Sequence, residues 1–220
     1  MKFEKFFNSK YAKVLEFIYR LIITNLVGIL CILLGLGIFS LMSVIISMII
    51  IVKSIDSDTD FPILKVFFNS FKKNYKRIFP LSFFYYFLIL ISVFNMFFFY
   101  SGFNEFGNFF YEVAFNLSIV IFFVVLTIFL NACFIYVYFP NLSNKKVIKY
   151  SFKLIRVIPI QTIVIICYLL TIIFLIYVIP ILFIFIYLAL GLFLINLTLR
   201  NTYNRLVADG VKSLDAFIYK

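Results

Sequence analysis

Four stretches of the chain, residues 21–52, 78–104, 113–144 and 157–199, contain no Asp, Glu, Lys, Arg or His. Uncharged apolar runs of about 18 residues or more are long enough to cross a bilayer as helices. Hydrophobic residues make up 65% of the chain, against about 45–50% in an ordinary soluble domain. Burying all four runs in one soluble core of 220 residues is implausible. The expected fold is therefore all-α: a polytopic membrane protein forming a single integral membrane domain over 1–220.

Charge sidedness sets the expected topology. The basic residues fall in four clusters. They are Lys2 to Arg20, Lys53 to Arg77, Lys145 to Arg156, and Arg200 to Lys220. Lys and Arg near span ends stay cytoplasmic, so each apolar stretch between clusters must cross an even number of times. Residues 21–52 as one helix would be about 48 Å long, against a hydrocarbon core of about 30 Å. They must fold back, and Gly35-Leu36-Gly37 is the natural place. Residues 157–199 break near Pro180, and 78–139 turn at "SGFNEFGN" (101–108). About six transmembrane helices in three hairpins result, N-in/C-in, near 17–34, 37–53, 79–100, 109–138, 157–178 and 181–199. The first is expected to stay as an uncleaved anchor, since no small-x-small cleavage site follows it. Only Glu105 and Glu112 fall on or near the outer side. With no Trp, interfacial anchoring falls to Tyr and Phe, and the candidates are Tyr85, Tyr86, Tyr100, Tyr111, Tyr136 and Tyr138.

The basic clusters read as amphipathic helices. Over 61–78, Leu64, Phe68, Phe71, Tyr75 and Ile78 form an apolar face beside Lys65, Lys72 and Lys76, with Lys73 and Arg77 adjacent. Over 145–156, Val147 or Ile148, Phe152 and Ile155 oppose Lys145, Lys149, Lys153 and Arg156. A basic amphipathic helix joined to a span most simply lies among anionic lipid headgroups. It can also dock a protein partner. A nucleic-acid surface, the other meaning of basic residues among aromatics, fits poorly beside a span. "SFKKNYKRIFP" (70–80) and "SFKLIRVIP" (151–159) share Ser-Phe-Lys, a later Arg and a proline, which raises the question of an internal repeat.

Catalytic and metal-binding chemistry finds little support. There is no His. Cys31, Cys133 and Cys167 stand singly, without disulfide or metal spacing. "DSDTD" (56–60) lacks the Gly and Glu that a calcium loop needs at its sixth and twelfth positions. Glu105 and Glu112 have no supporting residues. No enzyme, cofactor or metal site is expected. The spans do hold intramembrane polar residues, among them Asn25, Ser43, Asn116 and Asn131. The three Asn are expected to hydrogen-bond between helices, and lining of a solute path is the other reading. No deep ionisable residue is present, which argues against proton coupling.

The stretch "FIYRLIITNLVGILCILLGLGIFSLMSVIISMIIIVK" (17–53) followed by "DFPILKVFFNSFKKNYKRIFPLSF" (60–83) resembles the YesL-like family of bacterial membrane proteins, a family of unknown function. A mid-membrane Asn, a Gly-containing turn, a second span ending in Lys and an aromatic F-x3-F-K-x-N-[FY]-K segment carry the likeness, which is strong over about 17–90. The family's Pro-[AST]-x-x-[AST] pattern in the second span is replaced here around Leu41-Met42-Ser43. The resemblance implies a multi-pass protein of the bacterial cell membrane with an accessory role near carbohydrate uptake. Two functional expectations follow. One is a non-catalytic accessory or regulatory membrane component, contacting a partner such as a transporter subunit. The alternative is a small-solute transporter or channel without proton coupling.

Overall fold

Apolar runs that lack breakers fold as long helices, since a helix satisfies every internal backbone group within the segment. The structure, a computed structural model, describes residues 10–35, 40–56 and 61–208, and among these there are helices and no strand. In chain order they are α1 (Lys10–Leu34), α2 (Leu41–Asp56), α3 (Ile63–Phe106), α4 (Phe109–Tyr138), α5 (Asn144–Val157) and α6 (Pro159–Val178). A π-helical turn (Phe183–Tyr187) then leads into α7 (Leu188–Ala208). Among the described residues five segments are long and apolar enough to cross a membrane: Tyr11–Leu34, Ile63–Phe106, Phe109–Tyr138, Pro159–Val178 and Phe183–Val207. The sixth expected span, α2, is a shorter apolar helix over Leu41–Ile55. Part of the expected turn before it, residues 36–39, lies outside the described residues.

Two boundaries differ from expectation. The basic helix over 61–78 and the span over 79–100 are one continuous helix of 44 residues, with Pro80 inside it. Proline removes its own N–H bond to the carbonyl four residues back, and its ring crowds that carbonyl. Here that carbonyl belongs to Lys76, on an exposed turn with Phe79 and Pro80, where the loss is least costly. Pro159, by contrast, opens a new helix after Ile158 leaves helical geometry. The two similar stretches of the supposed repeat therefore fold differently around their prolines. Finally, the turn expected over 101–108 shrinks to Gly107 and Asn108. Gly107 adopts left-handed angles (φ 58) and Asn108 caps α4, its side chain accepting from Phe110 N at 3.2 Å. A residue with a Cβ would be strained at Gly107.

The helices pack around α2. Met42, Val44, Ile46, Met48, Ile49, Ile51 and Val52 are fully buried, so α2 is enclosed as far as Val52, and Lys53 is exposed at its last turn. Its neighbours are α1, α3, α4 and α7. Gly28 of α1 allows a close approach, because a Cβ there would overlap the Met48 sulfur. Much of the remaining core comes from the C-terminal half of α4 (Ile128 to Tyr138), α3 (Phe67, Ile78, Leu81, Tyr85), α5 (Val147, Tyr150, Leu154) and α7 (Ala189 to Leu206). Three tyrosines expected at the membrane interfaces, Tyr85, Tyr136 and Tyr138, are buried in this core. Each finds a polar partner inside: Ser151, Asn74 and Asn196, respectively. A buried phenol needs such a partner.

The basic helices also turn their faces differently from expectation. On α5 the buried stripe is Val147, Tyr150, Ser151 and Leu154, while Phe152 is exposed. On α3 it is Phe67 and Ile78 that are buried, while Leu64 and Phe68 are exposed. Spacing alone cannot choose between two adjacent apolar stripes.

Candidate functional site

Two polar groupings stand out, one inside the bundle and one at its basic end. Inside the bundle, Asn25 sits at mid-helix on α1 with no exposed surface. Its side-chain amide donates to the carbonyls of Phe183 (2.9 Å) and Ile184 (2.7 Å), and its carbonyl oxygen accepts from Ala189 N (2.8 Å). The π-helical turn at 183–187 shifts the hydrogen-bond ladder by one residue. Asn25 inserts at that shift and satisfies the groups it releases. The expectation of an interhelical role thus finds a full set of bonds at Asn25.

The other expected polar residues behave differently. Asn131 is fully buried, yet neither its amide nitrogen nor its oxygen has a hydrogen-bond partner among the described residues. Ser43 Oγ, Asn196 Nδ2 and Tyr203 OH are likewise buried without a partner among them. Asn116 is exposed and donates to Glu112 O of its own helix at 3.0 Å, so it does not bridge helices. Glu105 and Glu112 flank the Gly107 turn, both exposed. Among the described residues no group of His, Cys, Asp and Glu is placed to hold a metal ion.

The basic end is organised by rings and amides. Lys53 Nζ lies 4.0 Å from the Tyr138 ring centroid. Tyr138 stacks on Tyr203 at 4.9 Å and its hydroxyl donates to Asn196 Oδ1 at 3.1 Å. Tyr85 and Ser151 share a buried hydroxyl–hydroxyl bond of 2.6 Å, which ties α5 to α3. Arg77 donates to Leu142 O at 3.0 Å, and Asn144 donates back to Arg77 O at 3.2 Å. Arg20 pairs with Glu16 one turn earlier and faces the Phe61 ring at 5.4 Å.

The expected contact residues Lys65, Lys72, Lys73, Lys76, Arg77, Lys145, Lys149 and Arg156 are all exposed, and Lys153 is half-buried. Two of them, Lys73 and Arg77, share a cavity of about 450 Å³ with Asn69, Ser70, Asn74, Tyr136 and Asn141. A second cavity of about 370 Å³ lies between Arg20, Glu16 and the start of α3. The pairing of α3 with the α4–α5 connection, which creates the first cavity, was not legible from spacing. Its one advance signal was the run of Asn and Ser, at 69, 70 and 74, among the lysines.

Residues 21–96 match a family model described as "Protein of unknown function, DUF624". This is the family to which YesL-like proteins belong. The match runs from α1 through α2 into α3, inside the stretch that carries the resemblance. No curated protein and no solved structure matches the chain.

Proposed function

We propose that the chain is a non-catalytic accessory or regulatory component of a bacterial cell membrane, crossing it six times with both termini in the cytoplasm. Its basic end then faces anionic headgroups and a membrane-protein partner such as a transporter subunit. The observation that carries this reading is the display of cations at that end. Lys65, Lys72, Lys73, Lys76 and Arg77 on α3, and Lys145, Lys149 and Arg156 on α5, are all exposed. Tyr85, Ser151, Arg77 and Asn144 meanwhile lock the two helices onto the bundle. A rigid, exposed, basic surface fits binding better than chemistry. The association with carbohydrate uptake rests on the YesL-like resemblance.

Purification from native membranes in mild detergent tests the reading. A transporter subunit should co-purify with the wild type and be lost when Lys72, Lys76, Lys145 and Lys149 are all changed to Gln. A protein that purifies alone, and whose loss leaves sugar uptake unchanged, would remove the proposal.

A second reading, passage of a small uncharged solute without proton coupling, is favoured by the partnerless buried atoms of Ser43, Asn131 and Asn196. It predicts solute flux by the lone protein in liposomes, abolished by Asn131→Leu.

A further inference from the structure

We infer that the cavity between α3 and the α4–α5 connection is a binding site for a phosphate group. It deepens one part of the function proposed above, the contact with anionic headgroups. It rests on that reading only where the phosphate belongs to a lipid. Asn69, Lys73 and Arg77 recur every four residues along α3, and Ser70 and Asn74 form the neighbouring row. All five line the cavity, with Tyr136, Val137, Pro140 and Asn141 from the α4 end and Ile50 from α2. Two cations and several amide and hydroxyl donors thus converge on one space, and among the described residues no carboxylate lines it.

Much of this wall is held in place without a ligand. Tyr136 OH donates to Asn74 Oδ1 and Asn74 Nδ2 donates to Ser70 Oγ, each at 3.4 Å. Arg77 is fixed by the Leu142 carbonyl at 3.0 Å and lies 5.5 Å from the Tyr136 ring centroid. That bond uses one guanidinium nitrogen and leaves further N–H donors for an anion. The side chains of Lys73, Asn69 and Asn141 have no hydrogen bond or ion pair to another described residue. A planar guanidinium beside an ammonium, ringed by amides, is the chemistry that recognises phosphate. The volume lies within the range of small-ligand sites, about 300–1,000 Å³. Immediately beyond Arg77 the apolar run of α3 begins at Ile78. A phosphodiester lipid can therefore place its headgroup in the cavity and its chains beside the bundle. A soluble phosphomonoester would meet the same donors.

Adjacent lysines provide the test, because Lys73 lines the cavity and Lys72, equally exposed, does not. Wild type, Lys73→Gln, Lys72→Gln and Arg77→Gln are purified in neutral detergent. Native mass spectrometry then reads retention of phosphatidylglycerol against phosphatidylcholine, and thermal unfolding is followed with added inorganic phosphate. If the ligand is a lipid, the wild type retains phosphatidylglycerol preferentially, and Lys72→Gln, which removes a surface cation outside the cavity, lowers that retention far less than Lys73→Gln does. Lys73→Gln then weakens that retention about tenfold, the loss of one charge-assisted contact. If it is soluble, inorganic phosphate raises the unfolding temperature of the wild type and Lys72→Gln but not of Lys73→Gln. Arg77→Gln follows Lys73→Gln in either case; should it fail to fold, the lysine pair still decides. Equal behaviour of the two lysine variants with both probes, or no response by the wild type to either, overturns the site. Binding to phosphatidylglycerol vesicles over phosphatidylcholine vesicles, read in parallel, shows whether the general headgroup contact survives that failure.

Discussion

Residues 41–52 of α2 and the far arm of the α3–α4 pair are both strongly apolar, and they meet opposite surroundings. As far as Val52, α2 is enclosed by other helices, whereas Phe94, Phe97, Phe98, Phe106, Phe109 and Phe110 on the arm are more than half exposed. Hydropathy does not separate them, because lipid chains are as apolar as a protein core. What differs is side-chain size and polarity. α2 and its approach carry Ser40, Ser43 and Ser47 among Met, Ile and Val, which lets neighbouring helices close around it. The arm carries bulky rings that fill space without a protein neighbour. A helix of 16 residues spans only about 24 Å, so α2 suits an enclosed position better than a lipid-facing one. The arm, with nearly thirty residues beyond Arg77, extends about 43 Å.

The sharpest way to break this contrast is to shrink one apolar side chain in each region. Ile49→Ala, inside α2, should cost about 3 kcal/mol through the cavity it leaves. Phe94→Ala on the arm should stay within about 0.5 kcal/mol. Unfolding in detergent or bicelles measures both, and similar losses would erase the distinction. Next in size is Asn25→Leu, which removes three bonds to the 183–189 backbone. Interhelical bonds in membranes average about 0.6 kcal/mol, so a loss of about 2 kcal/mol is expected. Faster amide exchange at Ala189 should accompany it. Tyr85→Phe should cost about 1 kcal/mol. Combining it with Ser151→Ala should add little, since both remove the same bond. The smallest effect is expected at Asn131→Leu. Its polar atoms have no partner to lose among the described residues, so stability should hold or rise by up to about 1 kcal/mol. A marked loss there would reveal a partner, such as an ordered water, that Asn131 holds in the bilayer.

Much of the helical layout was legible beforehand because charge and length act locally. The C-terminal ends of α1, α4 and α6 fall at or near the expected positions, each close to a Gly or a Pro, while α1 begins at Lys10, ahead of its expected span. The join of the basic helix to the following span was not legible, because a proline such as Pro80 stops a helix only where its lost bond cannot be tolerated, and an exposed turn tolerates it. Of the candidate site, the cations were all visible in the sequence. Their partition into two that line a cavity and others that do not depended on Asn141 and Tyr136 arriving from another helix.

By itself, the sequence determined that this chain is built of apolar helices long enough for a bilayer and that its cations gather in four clusters. Those properties are sums over neighbouring residues. The tertiary structure alone decided that α2 is the enclosed helix, that Asn25 is satisfied while Asn131 is not, and that Tyr85, Tyr136 and Tyr138 are core. The reason is that each of these depends on which face meets which neighbour, and a rotation of one helix by a single residue, about 100°, would reassign them all without changing the composition.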